Sequence, residues 1–261
     1  MTPLPAVLVP LRDRASEAAV FVDYDGTLAP IVDDPSGARP VPGAPEVLAA
    51  LAARMALVAV VSGRPAAYLQ QHLGSPAGVH LAGLYGMEGV TAAGRPHLTP
   101  EVEAWRSVVA EVTRRIVTDA PPGVEVEPKG LTVTLHWRRA RRPGDAEGWA
   151  TATAGREAVA TGLAVQPGRM AIELRPPVGA DKGTVVARLG AGHPVVGYFG
   201  DDLGDLSAFD ALGVMAGEGA VVARVAVAGG DSPPAVAAAA DLVVAGPVEA
   251  VSLLRALAAP G

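Results

Sequence analysis

The sequence predicts an α/β protein: a doubly wound, Rossmann-like parallel sheet with a smaller α+β domain inserted into it. Three observations lead there. Short apolar runs, AAVFV, ALVAVV and PVVGYF, each break off into a polar or glycine-rich turn, DYDG, SGR and GDD. Runs without in–out alternation suit strands covered on both faces. Helix-like stretches at about 45–54, 65–73 and 182–189 accompany them, and alternation of strand and helix builds a parallel sheet.

The third observation is a change of character in the middle of the chain. Residues 101–116, EVEAWRSVVAEVTRRI, predict one long amphipathic helix. VEVEPKG and LTVTLHWR predict an antiparallel hairpin turning at Lys129 and Gly130. Leu131, Val133, Leu135 and Trp137 fall on one face of it, and Thr132, Thr134, His136 and Arg138 on the other. A second helix over 146–160 and two short strands, LAVQ and MAIEL, follow. Helix, hairpin, helix, hairpin is an α+β pattern with one polar sheet face. It sets the insert at 100–177 and the larger domain at 1–99 with 178–261.

Composition narrows the function classes. The 261 residues, half of them hydrophobic, suffice for a sizeable core. A net charge of −6 argues against a nucleic-acid partner. The lack of cysteine excludes disulfides and thiolate metal sites. The opening MTPLPAVLVPLRDR has no basic leader before its apolar stretch. No uncharged apolar run reaches the roughly 18–20 residues of a membrane span. The expectation is a cytoplasmic protein without a membrane partner.

In an open parallel sheet, ligands bind beyond the carboxyl ends of the strands, and that is where the polar motifs sit. Asp23 and Asp25 end the first apolar run. Like charges this close raise the pKa of one carboxylate unless a cation intervenes; alone, the pair reads equally as a solvated turn. Ser62-Gly63-Arg64 ends the next run. It offers a hydroxyl and amide N–H groups to phosphate oxygens, or simply caps a helix with Pro65 near its start. Val60 stands where a GxSxG elbow needs glycine. Lys182, in GADKGTVV, opens a helix; its Lys-Gly-Thr order and the lack of a preceding glycine-rich loop argue against a nucleotide P-loop. Asp201, Asp202 and Asp205 in GDDLGD suggest hard-metal ligands or an acidic turn. His72, His80, His97, His136 and His193 form no zinc-hydrolase spacing.

In order, DYDGT, Ser62, Lys182 and GDDLGD resemble the motifs of the haloacid dehalogenase superfamily of phosphatases. Over roughly residues 18–245 the chain is similar to the trehalose-6-phosphate phosphatase family. The stretches that carry this are DYDGTLAPIVDDP, LAGLYGMEG, EPKGLTVTLHWR and ELRPPVGADKG. One stretch departs: the family's usual GDDxTDEDAF is GDDLGDLSAF here, with Gly204 for a threonine and Leu206-Ser207 for two acids.

The resemblance implies a Mg²⁺-dependent phosphomonoesterase acting on a small sugar phosphate. Asp23 would be the nucleophile, Asp25 the acid and base, and Lys182 a catalytic cation. Ser62, Gly63, Arg64 and Lys182 would hold phosphate. The metal would be held by Asp23, Asp25 through its carbonyl, and Asp201, supported by Asp202 or Asp205. The insert would be a cap whose Glu127, Lys129, Arg138 and Glu173 bind sugar hydroxyls, with Gly86 and Glu88 lining the cleft. A functional link to a trehalose-6-phosphate synthase is implied as well. The competing readings are a related capped phosphatase for sucrose phosphate, mannosyl-phosphoglycerate or a pseudo-disaccharide phosphate, and a binding module without catalysis.

Overall fold

The structure, a computed structural model, describes residues 4–32, 37–168, 170–229 and 232–259. The end of DYDGTLAPIVDDP, residues 33–35, lies outside them. The chain divides into two compact units, residues 1–97 with 180–261, and residues 98–179.

The larger unit opens with α1 (Val9–Asp13), β1 (Ala18–Val22), α2 (Ala44–Ala52), β2 (Leu57–Val61), α3 (Ala66–Leu73), β3 (Val79–Gly83), β4 (Glu88–Val90) and β5 (Pro96–Leu98). The smaller unit holds α4 (Pro100–Glu103), α5 (Arg106–Asp119), β6 (Glu125–Pro128), β7 (Val133–His136), α6 (Pro143–Thr161), β8 (Ala164–Gly168) and β9 (Ala171–Arg175). The larger unit resumes with α7 (Lys182–Gly190), β10 (Val195–Gly200), α8 (Leu206–Gly217), β11 (Val221–Val227), α9 (Pro234–Ala238), β12 (Leu242–Val244) and α10 (Pro247–Ala258).

The large sheet has the order β12-β11-β10-β1-β2-β3-β4-β5. From β12 to β3 all neighbours are parallel, and β4 turns back antiparallel to β3. All five residues of β1 are buried because helices cover both faces. Val20 and Val22 point into a core shared with Leu48 and Leu51 of α2 and Leu254 of α10. Ala19 and Phe21 point the other way, onto Val186 of α7 and Leu212 of α8. This is why the run AAVFV shows no alternation: both parities are interior. From β1 the chain winds outward through β2 and β3, then returns to β10 on the other flank of β1. The carboxyl ends of β1 and β10 therefore meet at the topological switch point, where such sheets bind ligands.

The smaller unit is a four-stranded sheet of order β6-β7-β9-β8, antiparallel throughout. Leu135, Trp137 and Leu174 pack with Val112 of α5 and Ala150 of α6. Residues 101–116, expected as one helix, form two. The Trp105 N–H bonds the Val102 carbonyl at 2.9 Å, three residues back, and the helical register restarts. The tighter turn lets the Trp105 ring pack on the unit's core. Among the described residues, no helix is long and apolar enough to cross a membrane.

Candidate active site

The end of β1 is built for a tight reversal. The Asp23 N–H bonds Phe199 of β10 at 2.9 Å, which holds the acid at the switch point. Tyr24 is fully buried, and its carbonyl accepts the N–H groups of Leu28 and Ala29 at 2.9 and 2.8 Å. Gly26 has a φ of +81°, a conformation that glycine adopts without strain. A Cβ there would also collide with the Asp201 carboxylate, so the position has two reasons to be glycine. Thr27 donates its hydroxyl to Asp201 Oδ1 at 3.4 Å.

Asp205 organises the acidic turn after β10. Its Oδ2 accepts the N–H groups of Asp201 and Asp202 at 2.9 and 3.0 Å. Its Oδ1 accepts Lys182 Nζ and the Tyr198 hydroxyl, both at 2.6 Å. Burial works to raise this carboxyl, but the Lys182 charge and the donated hydrogen bonds outweigh it, and the acid stays below its ordinary range. Lys182 also reaches Asp23 Oδ1 at 2.9 Å and Asp202 Oδ1 at 3.7 Å. Burial alone would depress the ammonium; Asp205 and Asp23 hold it well above its ordinary value. Asp23 behaves oppositely. Its burial, with Asp205, Asp201 and Asp202 nearby, raises its carboxyl against the pull of Lys182. Burial, then Asp205 and Asp202, push Asp201 up to about 7.

Three carboxylates thus reach one ammonium, with Asp201 beside them, and the excess negative charge suits a cation. One oxygen each of Asp23, Asp201 and Asp205 lies within 4.8 Å of the others. An all-oxygen donor set fits a hard divalent ion such as Mg²⁺. Each Asp205 oxygen already accepts two hydrogen bonds, so Asp23 and Asp201 are the carboxylates with capacity for it. Asp202 accepts the Gly204 N–H at 2.9 Å and shapes the turn. Ser207, at the departure from the family's acidic motif, accepts the Gly183 N–H at 3.1 Å and donates to Gly204 at 3.0 Å. It ties the start of α7, and so Lys182, to this turn.

Several other expected site residues meet partners within the protein. Arg64, expected on phosphate, grips Asp25 with both arms, Nε to Oδ2 at 2.7 Å and Nη2 to Oδ1 at 2.8 Å. Its guanidinium stacks over Tyr68 at 4.5 Å, and Tyr68 is itself tied to the Ala38 carbonyl at 2.8 Å. Ser62 is buried and accepts the Arg64 N–H at 3.1 Å; it turns the loop, while Pro65 occupies the N-cap of α3. Glu88, expected to line a cleft, accepts the Ala66 N–H at 2.8 Å at the start of α3. Gly86, with φ of +88°, lies against Val185 of α7, where a side chain would clash.

In the smaller unit, Glu127, Thr134 and Glu173 are cross-strand partners in register, so they share a face. Glu173 Oε1 accepts Lys129 Nζ at 3.1 Å, the Thr132 hydroxyl at 2.7 Å and the Thr134 hydroxyl at 3.1 Å. Glu127 Oε2 contacts His136 Nε2 at 2.8 Å. Arg138 does not join them: β7 ends at His136, and Arg138 is exposed in the following turn.

A family model described as Trehalose-phosphatase matches residues 21–241, a span that contains every candidate site residue described above. The chain belongs to the trehalose-phosphatase family. The trehalose-phosphate phosphatase of Mycobacterium avium (strain 104) is 41% identical over 204 residues, 74% of this chain and 51% of that protein. The chain spans about half the length of the curated family members it matches. Among solved structures, the C-terminal domain of Candida albicans trehalose-6-phosphate phosphatase superimposes with a TM-score of 0.75 at 25% identity, covering 99% of both chains. A haloacid dehalogenase-like hydrolase from Bacteroides thetaiotaomicron, at 16% identity and a TM-score of 0.61, covers 92% of this chain and 99% of its own; it shares the fold.

Sequence reading passed over Tyr198, whose hydroxyl lies two strand positions before Gly200, and Thr27. Both sit inside the quoted motifs or runs; Tyr198 lies three residues before Asp201 and Thr27 two after Asp25, and that nearness was the available signal.

Proposed function

We propose that the chain is a Mg²⁺-dependent phosphomonoesterase that hydrolyses trehalose 6-phosphate to trehalose and phosphate. The carrying observation is the buried Asp23–Lys182–Asp205 chain beside Asp201 at the switch point. The Asp23 carboxylate attacks phosphorus; an Asp–phosphoryl bond forms as the bond to the sugar oxygen breaks. Asp25 gives the departing oxygen its proton, then takes one from the water that attacks the aspartyl-phosphate and releases phosphate. The bidentate Arg64 pair fixes the position of the Asp25 carboxyl group. Lys182, fixed by Asp205, offsets charge on the reacting oxygens. Asp23 and Asp201 would hold Mg²⁺, which when bound would neutralise the phosphoryl group facing an anionic nucleophile.

The smaller unit would serve as a cap, with Glu127, Lys129 and Glu173 as the sugar-binding set. Charged groups make strong hydrogen bonds to hydroxyls. A synthase that makes trehalose 6-phosphate would supply the substrate.

The test is phosphate release from a panel of sugar phosphates, with and without Mg²⁺. Trehalose 6-phosphate should be preferred, and only with the metal. Turnover no faster than that of simple hexose phosphates would sink the substrate assignment.

A further inference from the structure

Leu84, Tyr85 and Gly86 form three consecutive residues with left-handed backbone, at φ of +48°, +59° and +88°. Leucine and tyrosine resist that region, and neither has the short polar side chain that eases it for asparagine. Such strain persists only where the surroundings over-determine it, and it gathers at functional sites. Here the turn is bolted to the Ser62–Arg64 loop. The Leu84 N–H bonds the Arg64 carbonyl and the Tyr85 N–H bonds the Ser62 carbonyl, each at 2.9 Å.

The turn lays the Tyr85 phenol on Gly63. A Cβ on Gly63 would lie 2.7 Å from the Tyr85 hydroxyl oxygen and 2.8 Å from Cζ. Gly63 is not among the glycines with positive φ, so the phenol is the reason a side chain does not fit there. The hydroxyl therefore lies against the loop that follows β2, the strand paired with β1. Arg64, the cation of that loop, is engaged with Asp25. An uncharged donor at this point can serve phosphate oxygens without competing for that carboxylate.

We propose that Tyr85 is a substrate-binding residue whose hydroxyl donates a hydrogen bond to the phosphoryl group held at Ser62 and Gly63. The inference rests on the phosphatase reading given above. Tyr85→Phe removes the hydroxyl and keeps the ring. With Mg²⁺ present, calorimetric binding of inorganic phosphate should weaken about tenfold or more, as for a lost hydrogen bond to a charged group. KM for trehalose 6-phosphate should rise in parallel, with kcat little changed.

Tyr85→Asn, which suits the left-handed turn, should weaken phosphate binding as much, and it serves if the phenylalanine variant melts early. Phosphate affinity within about twofold of the parent in both variants overturns the proposal. So does a rise in KM without any loss of phosphate affinity, which would put the hydroxyl on the sugar. Phosphate binding needs no turnover. A parent that ignores trehalose 6-phosphate but binds phosphate more tightly than Tyr85→Phe would refute the function and leave this inference standing.

Discussion

The two polar networks of this protein are built from the same residue types and balance their charge differently. At the switch point, Asp23, Asp201, Asp202 and Asp205 face one ammonium, Lys182. Burial, and then the neighbouring carboxylates, raise Asp23 and push Asp201 up to about 7. On the hairpin face of the smaller unit, Glu173 and Glu127 are matched by Lys129, His136, Thr132 and Thr134. A matched network is satisfied as it stands and offers shaped hydrogen-bonding capacity. An unmatched one is held in place by the fold at a cost and is relieved by a cation. The comparison predicts chemistry in the first and recognition in the second.

The sharpest way to break it is Asp23→Asn. Phosphate release should fall by about 10⁴-fold or more, the scale seen when a nucleophile is removed, while a melting curve shows the protein still folded. Retained activity would remove Asp23 as nucleophile and leave the surplus charge without a purpose.

Next in size is Lys182→Met. Asp205 and Asp23 would keep their burial and lose their ammonium, which typically costs about 3–5 kcal/mol. Lys129→Met on the more exposed hairpin network should cost clearly less. Equal losses in urea unfolding would show that the two networks do not differ in kind.

Asp201→Asn should carry the opposite sign. Folding raises the Asp201 carboxyl from its ordinary 3.8 to about 7. The native state therefore keeps a proton that the unfolded chain releases near pH 4, and that stabilisation is lost as pH rises through about 7. In EDTA at pH 8 the asparagine variant should melt higher than the parent. Added Mg²⁺ should raise the melting temperature of the parent and not that of the variant. A variant that melts lower in EDTA would show that Asp201 is a stabilising partner and not a strained ligand.

The smallest effect belongs to Glu173→Gln. It should raise KM for trehalose 6-phosphate about tenfold, the scale of one charged hydrogen bond, with little change for a simple hexose phosphate. Equal loss on both substrates would take the hairpin network out of sugar recognition.

Much of the architecture was legible because buried parallel strands announce themselves as unbroken apolar runs. AAVFV and PVVGYF became β1 and β10 without ambiguity. The break at Trp105 was not legible, since 101–116 keeps an amphipathic period across it; a ring finding its place in the core reset the helix. Parity put Arg138 beside His136, but pairing stops at His136 and parity then means nothing. The partners of Arg64 and Glu88 were not legible, for a shared reason. A charged side chain at a strand end suits a ligand, a helix N-terminus or a neighbouring acid, and only the neighbours choose.

The sequence by itself determined which residues arrive at the carboxyl edge of the sheet, because hydrophobic period and motif order are local and one-dimensional. It brought Asp23, Ser62, Lys182 and Asp201 to successive element ends. Only the tertiary structure decided their division of labour. Lys182 meets Asp205 across 23 residues, Arg64 meets Asp25 across 39, and Thr27 meets Asp201 across 174. Hydrogen bonds of that range depend on where the sheet places each strand end, and no local pattern encodes it.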